Sequence, residues 1–353
     1  MHPVIAEDLS AILEAAQPAL TKLSRATILV AGGAGFLPSY IVDTLAFANE
    51  ELGTPPSHIL CLDNFKTGLP DRLAHLEGRP DVSFIEHDIT RPMKDLSPDY
   101  ILHGASIASP TWYRRYPLET IDINVTGTRR LLDLARSSEV QGFVYLSSSE
   151  IYGDPPPEEI PTKEDYWGNV SALGPRACYD ESKRLAETLC MIYFRSFHLP
   201  VKIVRPFNVY GPRLRLDDGR IVPDIISDAL AGEQITLYSD GRSTRSFCYV
   251  SDATAAIINV LASDVFGEAF NVGNNEEVTI RQVAETVDEL SQNGSGVRLA
   301  QSADPEYLMD NPQRRCPDLR KVIGVTGWTP RVSLREGIAR TLRFYRDEAS
   351  RWK

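Results

Sequence analysis

Six short apolar segments alternate with helix-like segments between residues 27 and 211, and this alternation is the strongest constraint on the fold. The apolar segments read TILVAG, HILCLDN, VSFIEHD, YILHGAS, GFVYLSSSE and VKIVRPFNVYG. Strands that alternate with helices predict a parallel sheet with helices on both faces. Ligands of such sheets bind at the carboxyl ends of the strands. We therefore predict a doubly wound α/β fold with a site along the rim formed by AGGAG, LDN, HGAS, SSSE and RPFN.

The first strand runs into a glycine-rich turn in the stretch ILVAGGAGFLPSY, with Gly32, Gly33 and Gly35 close together. Such a turn lets the backbone approach a pyrophosphate, and the following helix N-terminus favours its negative charge. Pro38 stands where these turns usually carry one more glycine. That last glycine serves helix–strand packing, and proline suits the first turn of a helix. We predict a working dinucleotide turn with altered helix packing.

Asp63 ends the second strand, 31 residues after Gly32. A carboxylate at this place accepts hydrogen bonds from both hydroxyls of an adenosine ribose and repels a 2′-phosphate. The sequence therefore favours NAD over NADP as the cofactor. The alternative is that LDNF is an ordinary strand end followed by a turn.

Tyr179 and Lys183 lie four residues apart in the helical segment YDESKRLAETLCMIYFRSF, so they share one helix face. A tyrosine with a pKa of about 10 is a poor base at neutral pH. A neighbouring lysine ammonium favours the phenolate, which can then take a proton from a sugar hydroxyl. The segment SSSE precedes this pair by about thirty residues and supplies a serine that can share the proton. An exposed helix face would give the same spacing by chance.

Overall charge and cysteine content exclude several classes of protein. The net charge of −11 over 353 residues argues against a general binder of nucleic acid or of anionic membranes. The five cysteines form no CxxC pair and the six histidines show no metal-ligand spacing, so we expect reduced thiols and no metal. We see no signal peptide and no apolar run near the roughly 20 residues of a membrane helix, so we expect a cytoplasmic protein.

From residue 26 onward, these motifs together resemble the extended short-chain dehydrogenase/reductase family that acts on nucleotide sugars. The resemblance implies a Rossmann-type sheet, NAD, a nucleotide-sugar substrate and a homodimer. In the dimer, helices near Leu118–Arg136 and Pro175–Phe197 would pair with their mates as a four-helix bundle. We divide the chain into an N-terminal helical extension at 1–25, an NAD-binding domain at 26–208 and a mainly substrate-binding lobe at 209–353, interleaved with the first domain. The extension has apolar residues at helical spacing from Ile5 to Leu23, with an expected interruption at Pro18.

Within this family the chain resembles the UDP-glucuronate decarboxylases. The similar segments are LSSSEIYGDP, EDYWGNVSALGPRACYDESKRLAET, NVYGPRLRLDDGRIVPDII, DGRSTRSFCYVSD and NPQRRCPDL. Sugar-nucleotide 4,6-dehydratases carry an Asp-Glu pair where this chain has Ser149 and Glu150, and many 4-epimerases lack the glutamate. The resemblance implies oxidation of UDP-glucuronate at C4, loss of CO2 from the 4-keto intermediate and reduction to UDP-xylose. The alternatives are a UDP-uronate 4-epimerase, a nucleotide-hexose 4,6-dehydratase and a non-catalytic dinucleotide sensor.

The resemblance also assigns candidate site residues. The catalytic candidates are Tyr179, Lys183, Ser148, Ser149 and Glu150. The cofactor candidates are Gly32, Gly35, Phe36, Leu37, Asp63, Asn64, Asp88, Ile89, Ala105, Ser106, Ser147, Tyr179, Lys183 and Pro206. The substrate candidates are Tyr113, Arg114, Asn208, Arg213, Arg220, Arg245 and Arg315. A solvated surface of mixed charge would also account for the arginines, and aromatic packing at a helix start would account for Tyr113 and Arg114.

Overall fold

The computed structural model describes residues 1–93, 96–302, 309 and 311–348. The helices are α1 (Pro3–Lys22), α2 (Phe36–Glu51), α3 (Pro110–Arg115), α4 (Pro117–Asp122), α5 (Thr128–Ser137), α6 (Ala177–Phe197), α7 (Ile221–Ala231), α8 (Val250–Ala262), α9 (Ile280–Ser291), α10 (Arg320–Thr326) and α11 (Leu334–Glu348). A π-helical turn, Ile123–Gly127, joins α4 to α5.

The strands are β1 (Thr27–Ala31), β2 (His58–Asp63), β3 (Val82–Glu86), β4 (Tyr100–His103), β5 (Gly142–Leu146), β6 (Val201–Pro206), β7 (Val209–Tyr210), β8 (Ile235–Leu237), β9 (Thr244–Ser246), β10 (Cys248–Tyr249), β11 (Glu268–Val272), β12 (Glu277–Thr279), β13 (Val297–Leu299) and β14 (Arg314–Arg315). Seven of them form one sheet in the order β11-β6-β5-β4-β1-β2-β3, and every pair in it is parallel.

Both faces of this sheet are buried, as the apolar strand segments predict. Alternate residues of β1 enter two separate cores: Ile28 and Val30 pack with α1, α2 and α8, whereas Leu29 and Ala31 pack with α5 and α6. The doubly wound α/β fold is thus confirmed. The strand β11 was not predicted, because it follows more than fifty residues of short elements and its first two residues are not buried.

The N-terminal helix α1 is continuous through Pro18, so the expected interruption there is wrong. The helix packs on α8 and α2 of its own chain. Its buried Asp8 accepts hydrogen bonds from Tyr40 Oη at 3.2 Å, Tyr249 Oη at 3.0 Å and Arg340 Nη1 at 3.1 Å. One carboxylate therefore ties α1 to α2, to the end of β10 and to α11.

The chain beyond residue 208 both extends the main sheet and builds a smaller set of elements over its rim. Helix α8 and strand β11 belong to the sheet and its buried layer, whereas β9 pairs with β12 and β14 above the strand ends. Arg315 of β14 pairs with Glu150, which follows β5, and the charge of Arg245 of β9 also acts on Glu150. None of the described helices has the combination of length and apolar character that crossing a membrane requires.

Candidate active site

The glycine-rich turn leaves no room for side chains where it meets the neighbouring strand end. Gly32 has a φ of +76°, and a Cβ there would lie 2.6 Å from the backbone of Ala105. Gly35 is the N-cap residue of α2 and has no side-chain cap, so the first backbone N–H groups of α2 remain available to an anion. The turn is therefore a backbone cradle of the kind that holds a pyrophosphate.

Pro38 is the third residue of α2, where its missing N–H removes no intrahelical bond, since the first one is donated by Ser39 to Gly35. The proline ring lies against Gly104, where a Cβ would come within 2.6 Å of Pro38 Cγ. The turn and the start of α2 thus form with Pro38 in place, as predicted; the predicted change in helix packing stays a prediction.

Asp63 lies under the turn, and its carboxylate accepts hydrogen bonds from Ala34 N at 3.0 Å and Phe65 N at 2.8 Å. Burial raises its pKa, while these backbone donors oppose that shift. A side chain at Gly68 would meet both carboxylate oxygens within 2.9 Å. The space in front of Asp63 is thus kept open for a ligand, and it is lined by Gly32, Gly35, Asp63, Asn64, Ile89, Ala105 and Ser106 among others. The glycine cradle and this carboxylate fit the pyrophosphate and adenosine ribose of NAD.

A larger cavity of about 540 Å³ continues from the turn across the strand ends. Its volume is in the range of small-molecule sites. It brings together predicted residues from eight separate stretches of chain: Gly35, Phe36, Leu37, Ser106, Tyr113, Arg114, Ser147, Ser148, Ser149, Glu150, Tyr179, Lys183, Pro206, Asn208, Arg220, Arg245 and Arg315. The cofactor and substrate candidates therefore share one continuous space.

Tyr179 and Lys183 lie on the cavity wall with Ser148. Lys183 Nζ donates to Leu146 O at 2.7 Å and lies 5.7 Å from the Tyr179 ring centroid. Burial lowers the pKa of Lys183 to about 7. Burial also raises the pKa of Tyr179, and a hydrogen bond with Ser148 opposes that rise. The serine, tyrosine and lysine thus lie together on the cavity wall. Their role in moving a proton stays a prediction.

The ring of Tyr113 stacks on Tyr179, with centroids 5.1 Å apart and planes 16° from parallel. Only 2% of Tyr113 is exposed, although it borders the cavity. This stack fixes the plane of the Tyr179 ring. Tyr113 is therefore placed to orient Tyr179, and the predicted contact with a substrate carboxylate is less accessible to it than to Arg114.

Glu150 is held between two guanidinium groups, those of Arg176 and Arg315. Burial would raise its pKa, but the charges of Arg176 and Arg315 outweigh burial and hold the pKa at about 2. Arg176 Nη1 also donates to Asn311 Oδ1 at 2.8 Å, and Arg315 Nη2 donates to Gly153 O at 3.3 Å. Glu150 is therefore a fixed carboxylate at neutral pH and cannot serve there as a proton donor.

Arg245 adds a third positive charge to this region. The parallel pairing of β14 with β9 aligns Arg315 directly with Arg245. Burial and the charge of Arg315 lower the pKa of Arg245 to about 10, so it remains a cation at neutral pH. Arg176 Nε also lies 3.9 Å from Asp180 Oδ2, so the three arginines stand beside two carboxylates, those of Glu150 and Asp180. The three guanidinium groups suit an anionic substrate.

Arg220 borders the same cavity and is paired with Asp218. It is the N-cap residue of α7, and its guanidinium interacts electrostatically with both Tyr179 and Tyr113. Asn208, with a φ of +39°, donates from Nδ2 to Ser246 O at 3.1 Å, which ties the β6 end to β9. Both residues line the larger cavity.

Two predicted residues do not reach either cavity. Asp88 accepts hydrogen bonds from the N–H and hydroxyl of Thr90 at 2.9 and 2.8 Å, so its carboxylate closes its own turn. Arg213 is buried in an ion pair with Asp43 of α2. For Arg213 the predicted substrate contact is wrong, because its guanidinium already has a buried partner.

Several residues of the site were missed in the sequence. Arg176 lies three positions before Tyr179 within the motif that carried the resemblance, and its position there was the available signal. Asp224, Phe247 and Ile280 line the far end of the larger cavity. Burial raises the pKa of Asp224 to about 7. No spacing in the sequence singles out these three.

Residues 28–273 match the model of a family described as the NAD dependent epimerase/dehydratase family. The chain belongs to this family. UDP-glucuronic acid decarboxylase 6 of Arabidopsis thaliana is 42% identical over 315 residues, covering 89% of this chain and 87% of that protein. UDP-glucuronic acid decarboxylase 1 of Xenopus tropicalis is 39% identical over 329 residues, covering 93% and 74%.

Solved structures of a 4,6-dehydratase and a 4-epimerase share the fold. A dTDP-glucose 4,6-dehydratase from Streptomyces venezuelae, with NAD and TYD bound, has a TM-score of 0.81 and 27% identity, covering 93% of this chain and 99% of its own. A UDP-glucuronic acid 4-epimerase from Bacillus cereus, in complex with UDP-glucuronic acid and NAD, has a TM-score of 0.75 and 25% identity, covering 91% and 99%. The fold alone does not choose among these chemistries.

Proposed function

We propose that this chain is an NAD-dependent decarboxylase of UDP-glucuronate. The observation that carries the proposal is the state of the two side chains that follow Ser148. Ser149 is a hydroxyl, and Glu150 is a carboxylate held by Arg176 and Arg315 with a pKa of about 2. Neither can donate a proton to a leaving C6 hydroxyl at neutral pH, as 4,6-dehydration requires. Decarboxylation needs no such acid, and the two similar decarboxylases support the same choice.

Each step of the proposed decarboxylation can be assigned to groups at the site. NAD, when bound, accepts the hydride from C4 of the sugar. Tyr179 takes the proton of the C4 hydroxyl, with Ser148 and Lys183 stabilising its phenolate. The oxidised sugar is a β-keto acid, so its carboxylate leaves as CO2 and the electron pair passes into an enolate. A proton from solvent at C5, return of the same hydride to C4 and return of the Tyr179 proton to the C4 oxygen would then give UDP-xylose.

The adenosine side of the site supports NAD as the nucleotide. The carboxylate of Asp63 faces the space that the glycine turn leaves open. Each of its oxygens also accepts a hydrogen bond from a backbone N–H group. A 2′-phosphate in that space would meet a negative charge. On the substrate side, Arg220, Arg245 and Arg114 are the groups proposed to hold the diphosphate and the uronic carboxylate.

The test is to incubate the purified protein with NAD and UDP-glucuronate labelled at C6, following labelled CO2 and the mass of the sugar nucleotide. We expect CO2 release with a UDP-pentose product. UDP-glucose, which lacks the carboxylate, is the matched control and should release none. A product of unchanged mass would instead identify a 4-epimerase, and loss of water a dehydratase. Binding of NAD without any turnover would support the non-catalytic sensor.

A homodimer and a cytoplasmic location also belong to the proposal. The outer faces of α4 and α6 carry exposed apolar side chains: Leu118 is 73% exposed, Leu185 47% and Ile192 48%. These helices contact each other, so their exposed side chains form one surface that a second copy can cover. The five cysteines are free thiols, as expected in a reducing compartment.

Leu185→Glu should dissociate the proposed dimer, because a carboxylate at the centre of the α4–α6 surface would be buried without a partner. Sedimentation measured over a range of concentrations would show a monomer for this variant and a dimer for the parent chain. Leu299→Glu on β13 is the matched control, since Leu299 is 50% exposed and lies outside this surface. An unchanged dimer in Leu185→Glu would contradict the proposed interface.

A further inference from the structure

Arg72 joins two loops that are distant in the sequence. It ends a single turn of 3-10 helix, Pro70–Arg72, after β2, and only 3% of it is exposed. Its Nη1 donates to Ala34 O at 2.6 Å, and its Nη2 and Nε donate to Arg213 O at 2.8 and 3.2 Å. The guanidinium therefore bridges two backbone carbonyls without lining either cavity.

The first carbonyl belongs to the dinucleotide turn. The N–H of Ala34 donates to Asp63 at 3.0 Å, and its carbonyl also accepts from Leu69 N at 3.1 Å. The peptide groups of Ala34 are thus held on one side by the ribose-facing carboxylate and on the other by Arg72. If a bound pyrophosphate displaced the turn, the hydrogen bond between Ala34 O and the Arg72 guanidinium would therefore change.

The second carbonyl belongs to the loop of residues 211–220, which leads to Arg220 at the substrate side of the larger cavity. Arg213 has a φ of +68°, a conformation that costs a non-glycine residue free energy and needs support from its surroundings. Its side chain is fixed to Asp43 and its carbonyl to Arg72. Two anchors on the cofactor-binding half thus set the path of this substrate loop.

A buried guanidinium is costly unless its donors are bonded, and Arg72 makes three hydrogen bonds to these two loops. We propose that Arg72 is a positioning residue that couples the dinucleotide turn to the substrate loop, so that nucleotide bound at one side strengthens binding at the other. This inference rests on the proposed function for the identity of the two ligands. Coupling of this kind is reciprocal, so either ligand can report it.

The experiment measures UDP binding by calorimetry, with and without saturating NAD, on protein stripped of nucleotide. For the parent chain we expect NAD to tighten UDP binding by about fivefold or more, in the usual range for coupled sites. Arg72→Met should reduce this ratio to about one. Arg72→Lys keeps the charge but cannot bond both carbonyls at once, so it should also lose most of the coupling, and it serves if the methionine variant does not fold.

Two controls separate coupling from a general loss of structure. Arg79→Met removes an arginine of the same segment that also bonds α2, through Ala46 O at 3.1 Å, but does not touch residues 211–220. Tyr345→Phe loosens the substrate loop at Leu214 without touching the turn. Both should keep the parent ratio, and Tyr345→Phe should weaken UDP binding equally with and without NAD.

A parent ratio near one, or the same ratio in Arg72→Met and in the parent, would overturn the inference. The decarboxylase proposal would fail in a different way, through absence of CO2 release by the parent chain. The two failures are distinguishable, because the binding experiment involves no turnover.

Discussion

Tyr179→Phe should lower the rate of CO2 release from UDP-glucuronate by about 10²- to 10⁴-fold, the usual contribution of a positioned general base. The phenylalanine keeps the stack on Tyr113 and loses only the hydroxyl that hydrogen-bonds Ser148. Steady-state release of labelled CO2 at saturating NAD and substrate measures the effect. Because the cavity wall keeps its shape, we expect NAD binding to change far less than the rate, by less than about threefold, or roughly 0.6 kcal/mol.

Tyr113→Phe is the matched control for this prediction, since the two rings face each other in the same cavity. Its hydroxyl takes no proton in the proposed reaction, so its removal should cost much less than that of Tyr179. Equal losses in the two variants would mean that the stack as a whole supports activity and that Tyr179 is not the base. A Tyr179→Phe variant with parent activity would contradict the proposed reaction.

The fold was predictable because each of its signals is local. Apolar runs such as ILVA and FVYL are nearly continuous, as strands buried on both faces must be. The effect of Pro38 followed from the position of one residue in the first helical turn. The Tyr179–Lys183 pair was visible for the same reason, since its four-residue spacing is set by the helix that carries it.

The partners of charged side chains were not predictable, because they come from distant parts of the chain. Arg213 pairs with Asp43, 170 residues away, and Arg315 pairs with Glu150, 165 residues away. An arginine in the sequence gives a charge and a reach, but its partner depends on which helix face or strand end lies opposite. The sequence did not indicate a role for Arg72 for the same reason, since its two partner carbonyls come from other parts of the chain. The sequence therefore predicted which strand ends border the cavity better than it predicted the partners of the arginines.

Glu150→Gln should lower the maximal rate of decarboxylation by about ten- to a hundredfold and lower the KM for UDP-glucuronate at the same time. Glu150 neutralises much of the charge of Arg176 and Arg315. With a neutral amide in its place, both guanidinium groups become free to bind the uronic carboxylate and stabilise the ground state that must lose CO2. Reduced nicotinamide, followed by its absorbance, should then accumulate in a single turnover, because oxidation at C4 continues while loss of CO2 is slowed.

Glu187→Gln is the control for this change. Glu187 pairs with Arg205 through bonds of 2.9 and 2.6 Å, is similarly buried and lies outside the larger cavity. The Glu187→Gln variant should be less stable than the parent chain, but its KM for UDP-glucuronate should not be lower. A higher KM in Glu150→Gln, with no accumulation of reduced nicotinamide, would instead indicate that Glu150 helps to bind the substrate.

The same substitution makes a prediction for pH, because glutamine resembles the protonated acid. The folded-state pKa of Glu150, about 2, lies below its ordinary value of 4.5. The charged form therefore stabilises the fold above about pH 5, and this contribution is lost as the pH falls toward 2. Chemical unfolding should show Glu150→Gln less stable than the parent at neutral pH, by about 3 kcal/mol at most, since 20% of the side chain is exposed. The difference should shrink below pH 5. A difference that is constant down to the acid limit would mean that the two arginines do not hold Glu150 in its charged form.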